Sequence, residues 1–503
     1  MDQIYQWHDV MADITINSKD NVHCRVHSAD VGILQEISDF FTFEQPGARF
    51  MPQFRAKLWD GKVRLFNLFT QEIYVGLVPY IKLFAEQNQY TFEDLRTPLP
   101  EPYLDVKEFM SNLNLRGHGQ PIEIRDYQID AIGHAIYNHR TLLLSPTGSG
   151  KSLIIYGIMR HHLNCKRRIL IIVPTTSLVE QLAADFADYS SANGWQTSEN
   201  VHKIYAGADK TEEWPVTIST WQSLYKLPKK FFEQYDVVIG DEAHGFKANS
   251  LTGILNKMPH CVYRIGTTGT LDGLKTHKLV LEGVFGAVHR VTTTKQLIKS
   301  KQLADLDINC LIMEYPEEVR KAVRSHTYQE EMDFLTQHAG RNKFIRNLAL
   351  AQTGNTLVLF QYVEKHGKSL HAQIAEKAAD GRRIFFVYGG TDTDQREQVR
   401  HITEKETDAI IVASYGTFST GINIRNLHNI IFASPSKSRI RNLQSIGRGL
   451  RTSGTKDRCK LFDIGDDLSY KSRKNFTLLH MAERIRIYND ENFEYKIVKV
   501  QIS

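Results

Sequence analysis

The stretch "TLLLSPTGSGKS", residues 141–152, constrains the fold of this 503-residue chain more than any other. An apolar run stops at a Gly-containing loop and a helical pattern starts immediately after it, which is the strand–loop–helix order of a phosphate-binding loop. The strict pattern GxxxxGK[ST] has glycine where this chain has Ser145; the remainder holds. Gly148 and Gly150 let the backbone curl, so that N–H groups of the loop that Pro146 opens, those of Thr147 and Ser149 among them, converge on phosphate oxygens at a helix N-terminus. Lys151 then supplies a point charge and Ser152 a hydroxyl for Mg2+.

The same alternation recurs along the chain. "RILIIVPTT", "VTISTW", "DVVIGDEAH" and "YRIGTTGT" follow, and a second series begins near residue 355 with "NTLVLFQ", "RIFFVYGG", "AIIVASYG", "NIIFASP" and "CKLFDIG". Continuous β-branched runs separated by helical stretches are strands buried on both faces, hence parallel sheets with helical crossovers. A chain of this length exceeds what one core serves, and about three domains are expected. We divide it into an N-terminal α/β domain (1–112), a first α/β domain (113–290), a connector with helices (291–350) and a second α/β domain with a C-terminal helical extension (351–503). The Pro-punctuated "TPLPEPY" is the first boundary.

Three further stretches carry chemistry. In "VVIGDEAH" a strand ends in Asp241 and Glu242; one carboxylate can hold Mg2+ and the other can orient and deprotonate an attacking water. His244 is either a surface histidine or a polar link from the nucleotide site. In "QSIGRGLRT" Arg448 and Arg451 lie three apart and would point the same way on a helix, as arginine fingers for phosphoryl transfer. In "QFRAKLWDGKVRLFN", residues 53–67, the Asp60-Gly61 pair signals a two-residue turn and hence a β-hairpin. Alternation would then put Phe54, Ala56, Leu58, Val63 and Leu65 on an apolar face. Arg55, Lys57, Trp59, Lys62, Arg64 and Phe66 would form a wet face suited to DNA phosphates and unpaired bases. A solvated face is the competing reading there, as it is for Lys471, Arg473, Lys474, Arg484 and Arg486 near the C-terminus.

The formal net charge is only +5, but the C-terminal end is basic and the N-terminal domain acidic, so a polyanionic partner is expected. The five cysteines are scattered without CxxC spacing, which suits a reducing compartment and argues against zinc. No apolar run spans a bilayer and no signal sequence is visible, so neither secretion nor a membrane is expected.

The ordered set "RDYQ" (125–128), "SPTGSGKS", "VPTTSLVEQ", "STW", "DEAH", "TTGT", "LVLFQYVEKHG", "VYGG", "ASYGTFSTGINI" and "QSIGRGLR" resembles the motif series of the superfamily 2 DNA helicases, most closely its phage recombination helicases. The resemblance implies two tandem RecA-like parallel-sheet domains of the P-loop NTPase type, ATP and Mg2+ as cofactors, and ATP-dependent remodelling of branched, forked, four-way or single-stranded DNA. An ATPase switch without unwinding and an RNA helicase are the alternatives. It further implies that Gln128 reads the adenine edge with Arg125 nearby, that Gly421 approaches the nucleotide, and that Gln444 acts with the two arginines. Thr175, Thr176 and Thr220 would contact the nucleic-acid backbone from the first domain; Phe360, Gln361, Ser414 and Thr417 would do so from the second. Thr268 and Thr270 would couple hydrolysis to domain movement. The threonines could equally cap helices. Departures from the family pattern are Ser145 for Ala, TTGT for SAT, and Asn423 for an acidic residue. A monomer in the cytoplasm of a phage-infected bacterium, with recombination or repair proteins as partners, completes the expectation.

Overall fold

Runs such as "ILIIV" at Ile169–Val173 and "TLVLF" at Thr356–Phe360 are buried at every position, as strands covered on both faces must be. In the computed structural model they become central strands of two seven-stranded sheets. The structure describes residues 12–502, except 98–99, 101–102, 206–213, 248, 422–423, 425 and 452–455. The division by contacts is Met1–Ser145 with Gly150–Val291, and Thr292–Ser503 with Pro146–Ser149.

The first unit holds a sheet in the order Val201–Ile204, Val216–Thr220, Ile169–Val173, Val237–Asp241, Tyr263–Thr268, Arg140–Leu144, Val288–Arg290, with every neighbouring pair parallel. The helices Asp126–Asn138, Lys151–Asn164 and Thr176–Tyr189 bury Ile132, Ile136, Ile154, Ile158, Leu182 and Phe186 against one face. A small domain precedes it. Its five-stranded sheet runs Phe66–Asn67, Glu72–Tyr74, His23–His27, Ile14–Ser18, Phe92–Asp94, antiparallel except for the last pair. That domain is seated on the seven-stranded part of the same unit. Tyr80 donates to Glu282 at 2.6 Å, Asn21 N–H donates to Pro259 O at 3.0 Å, Arg140 donates to Asn21 O, and Leu279 belongs to its apolar core.

The small domain carries hairpins, Ile14–Ser18 with His23–His27 and Phe66–Asn67 with Glu72–Tyr74, but residues 53–67 do not form the one expected there. Pro52 starts a helical turn, Pro52–Arg55, and Lys57 takes φ 56°, which ends it. Proline fixes φ near the helical value and is favoured at that first position. Asp60 accepts from Lys62 N–H at 3.1 Å, and the strand Lys62–Arg64 pairs instead with Thr42–Glu44, Val63 opposite Phe43. The two faces are redistributed accordingly. Phe66 is core at 2 % exposure, whereas Phe54 and Leu58 are 37 % and 81 % exposed.

The second unit holds a sheet in the order Ile384–Val387, Ile410–Ser414, Thr356–Phe360, Asn429–Phe432, Arg458–Asp467, Asp305–Glu314, Tyr495–Gln501, again all parallel. Two of these strands correct the sequence reading. Asp305–Glu314 lies in the stretch read as a connector, and Tyr495–Gln501 in the stretch read as helical; both lack the uninterrupted apolar run by which the other strands of this sheet are read. Two buried ion pairs tie helices to this sheet: Arg341 to Asp466 at 2.8 Å and Arg484 to Asp463 at 2.8 Å. Arg484 is therefore fully buried, not part of a solvated or DNA-facing basic surface, because its partner sits on a central strand.

Candidate nucleotide and nucleic-acid sites

The phosphate-binding loop leaves the strand Arg140–Leu144 and enters the helix Lys151–Asn164. Gly148 and Gly150 hold φ values of 86° and 81°, a left-handed backbone that glycine adopts without steric cost. A Cβ on Gly150 would stand 2.3 Å from Gln128 Nε2, so a side chain here would displace that amide as well as strain the backbone. Ser145 N–H donates to Thr268 O at 2.8 Å and Ser149 Oγ donates to Pro146 O at 2.6 Å, fixing the two ends of the curl.

Lys151 and the two carboxylates meet here. Lys151 Nζ lies 3.1 Å from Glu242 Oε1, and His244 Nδ1 lies 3.4 Å from Glu242 Oε2. Burial raises the Glu242 carboxyl, but the Lys151 charge and His244 outweigh it and hold the group below the ordinary carboxylate range. Burial pushes the neighbouring Asp241 carboxyl the other way, upward, against Lys151 and a 2.7 Å hydrogen bond from Thr267. Glu242 has φ 49°, uncommon for a residue with a side chain and a form of strain that concentrates at functional sites. His244 also reaches Thr268 Oγ1 at 3.1 Å, and Thr268 Oγ1 donates to Thr270 O at 2.9 Å. The DEAH stretch and TTGT are thus joined by one polar chain, which their separation in sequence does not reveal.

Gln128 is buried and its Oε1 accepts from Arg125 N–H at 3.1 Å, closing a capping box on its own helix. Arg125 donates to Tyr127 OH at 2.7 Å. Ser152 Oγ shares a 2.8 Å hydrogen bond with Tyr189 OH, a partner with no sequence signal, since it comes from a different helix.

The residues assigned to nucleic acid fall into three groups. Thr175, Thr220 and Ser414 stand at strand or helix ends with hydroxyl partners: Thr175 with Ser177 at 3.0 Å, Thr220 with Ser223 at 3.0 Å, Ser414 with Thr417 at 2.8 Å. Thr175 also caps its helix, whereas Thr176 is exposed. Phe360 is a correction: it is fully buried and stacks on Phe386 at 5.5 Å, so its side chain has no surface for a strand; the strand's last position points into the core. Gln361, one residue on, is half-buried beside a surface pocket. In the small domain Arg55, Lys57, Lys62 and Arg64 are exposed, Arg64 pairs with Asp60 at 2.5 Å, and Trp59 Nε1 donates to Lys62 O at 2.9 Å.

In the second unit Gln444 and Arg448 lie on the helix Arg439–Gly449, and the Arg448 guanidinium stands 5.7 Å from the Phe418 ring. Arg451 is past the helix end, bridged in antiparallel fashion to Leu303, so the two arginines do not share a helical face. The helix packs closely at its end, where a Cβ on Gly449 would stand 2.3 Å from Ile430 Cδ1. Gly421 ends the helix Tyr415–Gly421, and Asn423 and Thr452 lie outside the described residues.

Two tandem parallel sheets, one bearing a phosphate-binding loop beside a lysine-bridged carboxylate pair, define a P-loop ATPase with RecA-like domains. Residues 121–273 match the type III restriction enzyme res subunit family, residues 340–453 the helicase conserved C-terminal domain, and residues 13–93 the N-terminal domain of DNA helicase UvsW. The chain is 35 % identical to the ATP-dependent DNA helicase uvsW of Enterobacteria phage T4, covering 97 % of this chain and 100 % of that protein. The crystal structure of T4 UvsW is similar at TM-score 0.52 and 33 % identity, covering 97 % and 99 % of the two chains. The DNA 3'-5' translocase XPB2 of Sulfurisphaera tokodaii is 24 % identical over 72 % of this chain and 86 % of that protein. The chain belongs to the UvsW family of ATP-dependent DNA helicases. It is an ATP-hydrolysing enzyme, and the switch and RNA-helicase alternatives give way to the DNA helicase reading. Among the described residues no helix is long and apolar enough to cross a membrane.

Proposed function

We propose that this helicase acts on branched DNA, regressing forks and migrating four-way junctions in recombination and repair within the infected host's cytoplasm, as a small DNA-recognition domain followed by two motor domains and their connector. The observation that carries the reading is the segment 48–64 of the small domain. It exposes Phe50 at 70 %, Leu58 at 81 %, and Met51 and Phe54 at 38 % and 37 %, among Arg49, Arg55, Lys57, Lys62 and Arg64. Cations attract phosphates without reading sequence, and exposed apolar side chains suit unstacked bases where strands part.

In the chemical step Lys151 leaves Glu242 for the phosphates of ATP. Glu242 then orients the attacking water and accepts its proton as the water oxygen bonds the γ-phosphorus and the bond to the ADP oxygen breaks. Arg448 and Arg451, with Gln444, are assigned to stabilising the charge developing on the transferred group. The donor chemistry at the loop fits Mg2+, because one carboxylate and one hydroxyl leave room for phosphate oxygens and the waters this ion retains. Asp241 and Ser152 would hold it, Ser152 releasing Tyr189, and the ion would neutralise phosphate charge. Thr175, Thr176, Thr220, Gln361, Ser414 and Thr417 are assigned to the strand backbone.

The test is the Arg55→Glu, Lys57→Glu, Lys62→Glu triple variant, assayed for fork and four-way junction binding against salt. Losing three phosphate contacts lowers the log–log salt slope by about 3 and weakens binding at least tenfold, with ATP affinity retained. An unchanged slope and unchanged junction processing would overturn the reading.

A further inference from the structure

We propose that a pocket in the second unit, formed by Tyr328, Phe476 and His480 beside Gln361, Lys437 and Arg441, receives one unpaired base of the DNA strand together with its phosphate. The inference rests on the DNA reading above and specifies where the strand is held.

The pocket is about 440 Å3, within the range of small-ligand sites. Gln361 follows the strand Thr356–Phe360, and residues 435–438 follow the neighbouring parallel strand Asn429–Phe432. Both chains therefore enter the pocket from the carboxyl ends of adjacent strands, where open α/β sheets bind their ligands. Its wall is aromatic, the Tyr328 ring lying 6.0 Å from Phe476 and 5.3 Å from His480. Lys437 is exposed at the rim, the Arg441 guanidinium stands 5.6 Å over the Tyr415 ring, and among the described residues no carboxylate lines the pocket. Two cations beside flat apolar walls match a phosphate joined to a base.

The aromatic wall is held rigidly from behind. Glu331, one turn beyond Tyr328 and buried, accepts from Phe476 N–H at 3.0 Å, from Thr477 N–H at 2.7 Å and from Asn475 Nδ2 at 2.9 Å. This carboxylate fixes the start of the helix Phe476–Asp490, and with it Phe476 and His480, which share a face one turn apart. Yet Phe476 remains 37 % exposed, an apolar ring ordered at the mouth of the pocket. His480 Nδ1 is buried without a hydrogen-bond partner among the described residues, and burial pushes the ring down to about 4, so it is neutral near pH 7. A neutral imidazole carries one donor and one acceptor nitrogen, and with Nδ1 buried the other nitrogen is the one left for a base edge. An acidic peptide would use the cations but leave the flat wall and the imidazole without complementary groups.

The test compares wild type, Phe476→Ala, Phe476→Trp and His480→Ala by fluorescence anisotropy with a labelled single strand and with a blunt duplex, thermal unfolding serving as the check on folding. Stacking on one base corresponds to about five- to hundredfold in affinity. Phe476→Ala should lose that factor on the single strand and nothing on the duplex, Phe476→Trp should keep it, and His480→Ala should lose less. Equal single-strand affinity for wild type and a folded Phe476→Ala overturns the proposal, and so does an acidic aromatic peptide that competes for the pocket while leaving that affinity unaltered. Wild-type protein that binds neither DNA overturns the branched-DNA reading as well, which separates the two failures.

Discussion

Glu242 shows how much a single position can depend on its surroundings. Its backbone is left-handed, and its carboxylate is bridged to Lys151 at 3.1 Å, so the group proposed above to activate water is held by the lysine in this structure. Glu242→Gln keeps the shape and the phosphate cradle but has no proton acceptor; turnover should fall by about 10²–10⁴-fold while ATP still binds, as steady-state hydrolysis and nucleotide titration would show together. Retained hydrolysis would remove Glu242 from the base role. His366 supports a different kind of prediction. Burial pushes its ring down to about 3, and it sits neutral between Ser434 Oγ and Asn342 Oδ1, each at 3.2 Å. Below the ordinary value of 6.5 the unfolded chain takes up a proton that the folded chain refuses, so stability is complete above that pH and falls as pH drops toward about 3. His366→Gln should flatten the dependence of the thermal midpoint between pH 7 and pH 5; an identical slope in both proteins would rule this histidine out as its source.

At the level of elements, patterning and tertiary demand part company in identifiable places. The strands of both sheets that are apolar throughout were plain in the sequence, because burial on both faces leaves no alternation to misread. Asp305–Glu314 was not, since it reads "DLDINCLIME" and only its pairing with Arg458–Asp467 and Tyr495–Gln501 makes it a strand. The basic helix near the C-terminus misled in the other direction: Arg484 donates to Asp463 at 2.8 Å and 2.9 Å, to Ile464 O and to Ser436 O, and Tyr488 OH adds a 2.6 Å bond to the same carboxylate. Removing one partner strands a buried charge. Asp463→Ala should therefore cost about 3–5 kcal/mol in urea unfolding of the second unit, well beyond an ordinary surface change. A shift in midpoint no larger than that of Glu483→Ala, at an exposed acid, would show that water reaches the arginine.

For the whole molecule, the seating of the small domain on the seven-stranded part of its unit is decided by close approach. A Cβ on Gly76 would stand 1.9 Å from Glu282 O, and the same segment sends Tyr80 to the Glu282 carboxylate. Gly76→Val should prise the domain away, splitting one thermal transition into two and lowering junction binding while ATP affinity persists; a single unaltered transition would mean the seam tolerates the side chain. What the sequence determined alone was whatever local chemistry dictates: the phosphate-binding curl from Gly148 and Gly150, the carboxylates at the end of a buried strand, and the parallel-sheet class from uninterrupted apolar runs. What only the tertiary structure decided was which side chains are spent on one another. Phe360 went to the core, Arg484 to Asp463, Ser152 to Tyr189, and Phe54 and Leu58 to solvent in place of Phe66. The reason is that period and propensity act over a few residues, whereas burial and pairing depend on partners that the chain brings from as far as 238 positions away, as for Asn21 and Pro259.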